Sequence, residues 1–329
     1  MIKAGLPLTR SLSVVERQTK NIRLKHTMRT VREDINKGKQ LNEALAAFPR
    51  IFSELYVAMV RAGEEGGQLS SAMETLSVQM ERSSTLRKKV KGAMIYPTIV
   101  LMVMVIIGVL MMIYVVPSIT GTFSSMNVEL PLTTKILIGT SNFMSNHSFL
   151  VLAGGVAFIM GSISFLRTRL GKRIFHYLVT RIPVIGTIVK EVNAARTART
   201  LASLLRSGVD VISAVNITTD VVQNVYYKDI LKTAAERVEK GTPLSEVFVE
   251  RTDLYPVLVG DMIAVGEETG QISLMLEELA QFYETEVDQK TKDLSTIIEP
   301  LLMVMIGGGV GFFALAMIAP IYSISDSIG

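Results

Sequence analysis

Two short turns carry the most chemistry that the sequence offers. Gly63-Glu64-Glu65-Gly66-Gly67-Gln68 and Gly266-Glu267-Glu268-Thr269-Gly270-Gln271 each set two carboxylates side by side among glycines. Paired carboxylates can hold a cation or meet a basic partner surface, which makes Glu64, Glu65, Glu267 and Glu268 the candidates for either role. The structural alternative has preference. Gly63 and Gly266 suit a left-handed helix end, and the glutamates then stand at or near the start of the next helix, where the dipole favours negative charge.

Other chemistry is thin. His26, His147 and His176 are scattered, with none at metal-ligand spacing from another. The sequence contains no phosphate-binding Gly-x-x-x-x-Gly-Lys-Ser/Thr loop. Asp261, Asp288 and Asp293 do not form a membrane-proximal pair of the kind an aspartyl membrane peptidase needs. Arg196, Arg199 and Arg206 either meet an acidic partner or form a solvated face. The expectation is a protein that is not an enzyme and carries no cofactor. A nucleic-acid role is set aside because no groove-reading motif accompanies the basic clusters.

The elements that hold the two turns repeat. Adding 203 to a position in the first part keeps finding the same residue in the second: Gly5 and Gly208, Gly38 and Gly241, Leu41 and Leu244, Met59 and Met262, Pro97 and Pro300, Pro117 and Pro320. Residues 1–126 align with 204–329 without a gap, so one module is read as used twice. Each copy is expected to be a helical bundle. Phe52, Leu55, Met59 and Val60 make an apolar stripe before the first acidic turn, and Leu69, Met73, Leu76 and Met80 make one after it. Ile272, Leu276, Leu279 and Tyr283 restate the second stripe. The helical stretch 194–206 precedes the second copy, and its counterpart would lie before Met1, so the first copy is expected to lack its opening helix.

Composition agrees with helices in two environments. Of 329 residues 49% are apolar, mean hydropathy is positive and the net charge is only +4. With no cysteine, disulfides are excluded. The 18 methionines concentrate in the apolar runs, where packing explains them. Three uncharged runs are long enough to cross a bilayer, which divides the chain into a first module at 1–92, a span at 93–119, an external loop at 120–147, a span at 148–166, a linker and second module at 167–296, a span at 297–320 and a short tail at 321–329. Tyr96, Pro97 and Pro117 punctuate the first span, and Glu299, Pro300 and Pro320 the last. Gly307, Gly308, Gly309 and Gly311 permit close helix approach there. Lys88, Lys89, Lys91, Arg167, Arg169, Lys290 and Lys292 flank the spans on one side, so both modules and the N-terminus are expected to be cytoplasmic and the C-terminus external.

In their order these features resemble the type II secretion system protein F family. The resemblance rests on Lys89-Val90-Lys91-Gly92-Ala93-Met94-Ile95-Tyr96-Pro97 with its apolar run to Pro117, on Ile298-Glu299-Pro300, on the stretch 201–209, on both acidic turns and on Glu129-Leu130-Pro131-Leu132-Thr133-Thr134. It implies an all-α integral membrane protein of the bacterial inner membrane, acting as a platform in type II secretion or type IV pilus assembly. Its implied partners are a cytoplasmic hexameric assembly ATPase, other inner-membrane assembly proteins, pilin or pseudopilin subunits, membrane lipid and further copies of itself as a dimer or higher oligomer. A transporter or channel built on the repeated module is the alternative, and would call for ionisable side chains at mid-membrane.

Overall fold

The computed structural model describes residues 1–124, 132–182 and 184–328; the side chains of 121–124, 132–133, 295 and 319–328 are outside that description. Glu129, Leu130, Pro131, the side chains of Leu132 and Thr133, and the ring of Pro320 therefore lie outside the described residues. Helix follows helix, with no strand among the described residues. Two compact units form, one from 1–88 with 176–289 and the other from 89–175 with 290–329.

In the first unit, α1 (Leu8–Gln18), α2 (Ile22–Asn36), α3 (Leu41–Ala46), α4 (Glu54–Glu65) and the first part of α5 (Leu69–Leu110) come first. After α9 (Arg169–Arg181) and α10 (Ile185–Arg206) the unit continues with α11 (Val211–Val221), α12 (Val225–Glu239), α13 (Leu244–Val249), α14 (Val257–Thr269) and the start of α15 (Ile272–Ile328). The causes of these ends are local. Asn21 and Asn224 cap α2 and α12, each side-chain oxygen accepting a backbone N–H of the first turn. The fully buried apolar positions keep the same spacing, with Val31 and Ala234, Leu41 and Leu244, Leu45 and Phe248, Val60 and Ile263, Leu76 and Leu279 all inside. The stripe from Phe52 to Val60 is buried as the periodicity predicts.

One expected stripe is rotated. Met80 is 55% exposed, and Gln79 takes the inward position on α5. Its amide nitrogen donates to Thr200 Oγ1 at 3.3 Å and its oxygen accepts from Ser203 Oγ at 2.9 Å. A buried amide is tolerated because both ends are satisfied.

The second unit holds the apolar runs. Among the described residues three helices are long and apolar enough to cross a membrane, within 69–120, 148–167 and 272–318. In α8 (Ser148–Arg167) no residue is buried, as suits a helix whose surroundings are lipid. The segment expected to be an external loop is helical over much of its length: α6 (Val116–Ser124) enters it and α7 (Leu132–Asn146) fills its second half.

Proline explains what α7 does there. Pro117 has no N–H, and just before it the helix widens into a π-helical segment, Met111–Val115, in which Val116 N–H donates to Met111 O. In that register the Met112 carbonyl would accept from position 117 and has no donor. Ser141 Oγ donates to it at 2.5 Å. In α15 the carbonyl that position 320 would serve is that of Ala316, and Thr134 Oγ1 donates to it at 2.7 Å. Thr134 and Ser141 are completely buried and stand on one face of α7, beside Leu137, which packs with Val116, Ala316 and Met317.

Candidate functional site

The two acidic turns end helices. Helix α4 stops at Glu65 and the chain turns at Gly67 with φ 65°, while α14 stops at Thr269 and turns at Gly270 with φ 69°. This corrects the sequence expectation for Gly63 and Gly266, which lie inside α4 and α14 and are not left-handed. Their lack of a side chain serves close approach. A Cβ on Gly63 would overlap the Cβ of Ala72, and one on Gly266 would come within 2.7 Å of Ile272 Cα.

The glutamates are corrected as well. They close their own helices instead of opening the next, a position the helix dipole disfavours. Glu64 finds its compensation 23 residues back. Its carboxylate accepts Leu41 N–H at 2.7 Å, Asn42 N–H at 3.0 Å and the Asn42 amide at 2.8 Å. Glu267 does the same to α13, accepting Leu244 N–H at 2.6 Å, Ser245 N–H at 3.2 Å and Ser245 Oγ at 2.5 Å. The residues preceding α3 and α13, Gln40 and Pro243, make no side-chain cap. Glu64 and Glu267 thus serve as caps delivered from another helix, onto N–H groups that have no intrahelical partner.

The second glutamate of each pair is different. Glu65 and Glu268 are exposed. Glu65 lines a groove of about 790 Å³ that also draws Arg61, Gln68, Arg206 and Asp210. Asp210 is held below the usual carboxylate range, chiefly by the backbone N–H of Ser213, whose helix it caps. As a cation site the pairs are poorly placed, because the oxygens of Glu64 and Glu267 are already occupied. Among the described residues no group of three or more metal-binding side chains comes together.

The arginines sort by partner. Arg199 is buried and forked onto Glu284, with two bonds of 2.9 Å, so it faces neither solvent nor an outside partner. Arg206 reaches Glu277 at 2.7 Å. Among the described residues Arg196 makes no such bond, and it lines a different cleft. Tyr96 is 51% exposed, Pro97 sits within α5, and Glu299 and Pro300 are exposed on α15.

Two sets of residues escape a reading of the sequence. One is the pair of α7 hydroxyls, whose signal was Thr134 and Ser141 seven apart in an apolar helix downstream of Pro117. The other is the cleft at Arg196, where Arg87, Glu54 and Asp220 meet from three further helices. No local pattern announces a cleft assembled in that way.

Known proteins carry the same chain pattern. The profile of "Type II secretion system (T2SS), protein F" matches residues 1–117 and 197–320. "Type IV pilus assembly protein PilC" of Thermus thermophilus is 35% identical over 328 residues, covering 100% of this chain and 80% of that protein. "Type II secretion system protein F" of Aeromonas hydrophila is 33% identical over 330 residues, covering 100% and 84%. "Type IV pilus assembly protein PilC" of Myxococcus xanthus is 33% identical over 328 residues, covering 100% and 78%. With both ends of the chain and its middle accounted for by these matches, the chain belongs to the type II secretion system protein F family.

Proposed function

We propose that this protein is an inner-membrane platform of a type II secretion or type IV pilus assembly machine, and that it couples a cytoplasmic assembly ATPase to the insertion of pilin or pseudopilin subunits into a fibre. The observation that carries the reading is the match over the whole chain to relatives named for those two machines. The geometry is consistent with it. No described carboxylate pair, histidine or arginine fork sits as a reacting constellation, whereas exposed acidic corners are available to a partner.

Within this reading the chain is one helical module used twice. Support comes from the paired helix ends at a constant spacing and from the two glutamates that reach back to cap α3 and α13. Both modules lie in the cytoplasm with the N-terminus, and residues 120–147 and the C-terminus lie outside, an orientation that the basic flanks of the spans support. The transporter alternative lacks its hallmark, since the uncharged runs place no ionisable side chain at mid-span.

The structure changes which residues test the ATPase contact. Altering all four glutamates would mix lost caps with lost contacts, so the variant is Glu65→Ala with Glu268→Ala, leaving Glu64 and Glu267 in place. The full chain in detergent is expected to retain a cytoplasmic assembly ATPase of the same organism in a pull-down, and the double variant to lose it. Retention by both proteins would remove the acidic corners from the interface. No retention by the wild type would remove the ATPase as a direct partner.

A further inference from the structure

Six arginines of the first unit have a carboxylate within 4 Å. Arg29 reaches Glu16 at 3.0 Å, Arg237 reaches Glu250 at 2.7 Å, Arg251 reaches Asp253 at 3.0 Å, and Arg199 and Arg206 are paired as described. The arginines of this unit without such a partner among the described residues are exposed, apart from Arg196. It is half-buried, and among the described residues no carboxylate lies within 4 Å of it or of Arg87. The two guanidinium groups instead line one cleft of about 390 Å³. Burial, and after it the charge of Arg87, holds the Arg196 guanidinium below its ordinary range. A half-buried guanidinium with an exposed one beside it favours a counter-anion.

The rest of the lining says what kind. Ser83 and Ser84 offer hydroxyls and Gln223 an amide. Guanidinium forks beside hydroxyl and amide donors are the chemistry that recognises the oxygens of a phosphate. Glu54 and Asp220 stand in the same cleft. Their mutual hydrogen bond, with burial and the Asp220 charge behind it, keeps the Glu54 carboxyl above the usual range. Lys228 approaches Asp220 only to 3.9 Å. An acidic wall repels further negative charge, so the anion must be confined to one end of the ligand.

We propose that the cleft formed by Arg87, Arg196, Ser83, Ser84, Glu54 and Asp220 binds a single phosphate ester whose remainder is neutral or cationic. A soluble ester and a phospholipid headgroup share that chemistry. Arg87 lies six positions before the uncharged run that begins at Ala93, which brings the headgroup into consideration.

The test uses the full chain purified in detergent. Phosphoethanolamine is titrated by calorimetry, with ATP and a glutamate-rich peptide as competitors, and native mass spectrometry reads phospholipid carried through purification. Arg87→Gln is the first variant, because Arg87 is exposed and its loss leaves packing intact; Arg196→Gln is the second. Loss of one forked contact is expected to weaken phosphoethanolamine by about tenfold or more. Titration that weakens so in Arg87→Gln assigns the site to a soluble ester. One retained phospholipid per chain, lost in Arg87→Gln, assigns it to a headgroup. Neither signal in the wild type, or signals unchanged in both variants, overturns the proposal. Stronger binding of ATP or of the acidic peptide than of phosphoethanolamine also overturns it, in favour of a polyanion or a protein carboxylate. None of these outcomes depends on the ATPase contact.

Discussion

At the scale of single residues, neighbours of one chemical type do unlike work. Glu64 and Glu267 each satisfy two backbone N–H groups on another helix, whereas Glu65 and Glu268 face solvent. Charge-assisted bonds of this kind contribute about 1.5–3 kcal/mol. Glu64→Gln is therefore expected to lower the Tm in detergent measurably. Glu65→Gln should leave it within the roughly 0.5 kcal/mol typical of surface changes. Equal melting of the two variants would refute the capping role. The Glu54 and Asp220 pair makes a pH prediction. A carboxyl whose folded-state pKa is raised gives stability that is present below its unfolded pKa and lost as pH rises through the folded one. Glu54→Gln should accordingly melt with the wild type at about pH 4 and above it at about pH 8. A difference that does not change with pH would refute the shared proton. The sequence puts the acidic turns in plain view but hides their partners. Leu41 and Leu244 become reachable only once the register between α3 and α4, and between α13 and α14, is set by packing.

At the scale of elements, close approach and proline decide the geometry. Helix α4 passes so near α5 at Gly63 that one methyl group has no room, and Gly63→Ala should cost about 1–3 kcal/mol, as overpacking does. A thermal melt identical to the wild type would show that the helices can separate freely. In the second unit, Ser141→Ala leaves the part-buried Met112 carbonyl without a donor, which costs about 1–3 kcal/mol. Adding Pro117→Ala returns an N–H to the ladder, so the double variant should melt closer to the wild type than Ser141→Ala does. Failure of that rescue would refute the substitution of hydroxyl for amide. Some helix ends are legible from sequence because stops are local: Gly38 turns the chain just after α2, whereas α4 runs past Gly63 and the turn comes at Gly67. What faces what is less so. Met80 fits a helical stripe, yet Gln79 is inside because Thr200 and Ser203, more than a hundred positions away, complete its hydrogen bonds. The segment at 120–147 looks like a loop for a similar reason, since the hydroxyls that tie α7 down find their acceptors on other helices.

At the scale of the whole molecule, the sequence carries the architecture further than it carries the contacts. Three uncharged runs and a constant spacing between like residues suffice to expect a helical membrane protein, because length and hydropathy alone limit what crosses a bilayer. The basic flanks suggest an orientation that reporter fusions can test. A periplasm-active reporter placed near residue 128 should be active, and the same reporter within 167–296 should be silent.

The cross-helix caps have a consequence for the order of synthesis. Leu41 and Glu64 are only 23 residues apart, as are Leu244 and Glu267, so each loop closes at little entropic cost. Gln79 and Thr200 are 121 apart. On the ribosome, the first glutamate can grip its helix while the apolar run behind it is still emerging, and the second does so later in the same way. The buried amide that joins α5 to α10 has to wait until that whole intervening length has been made.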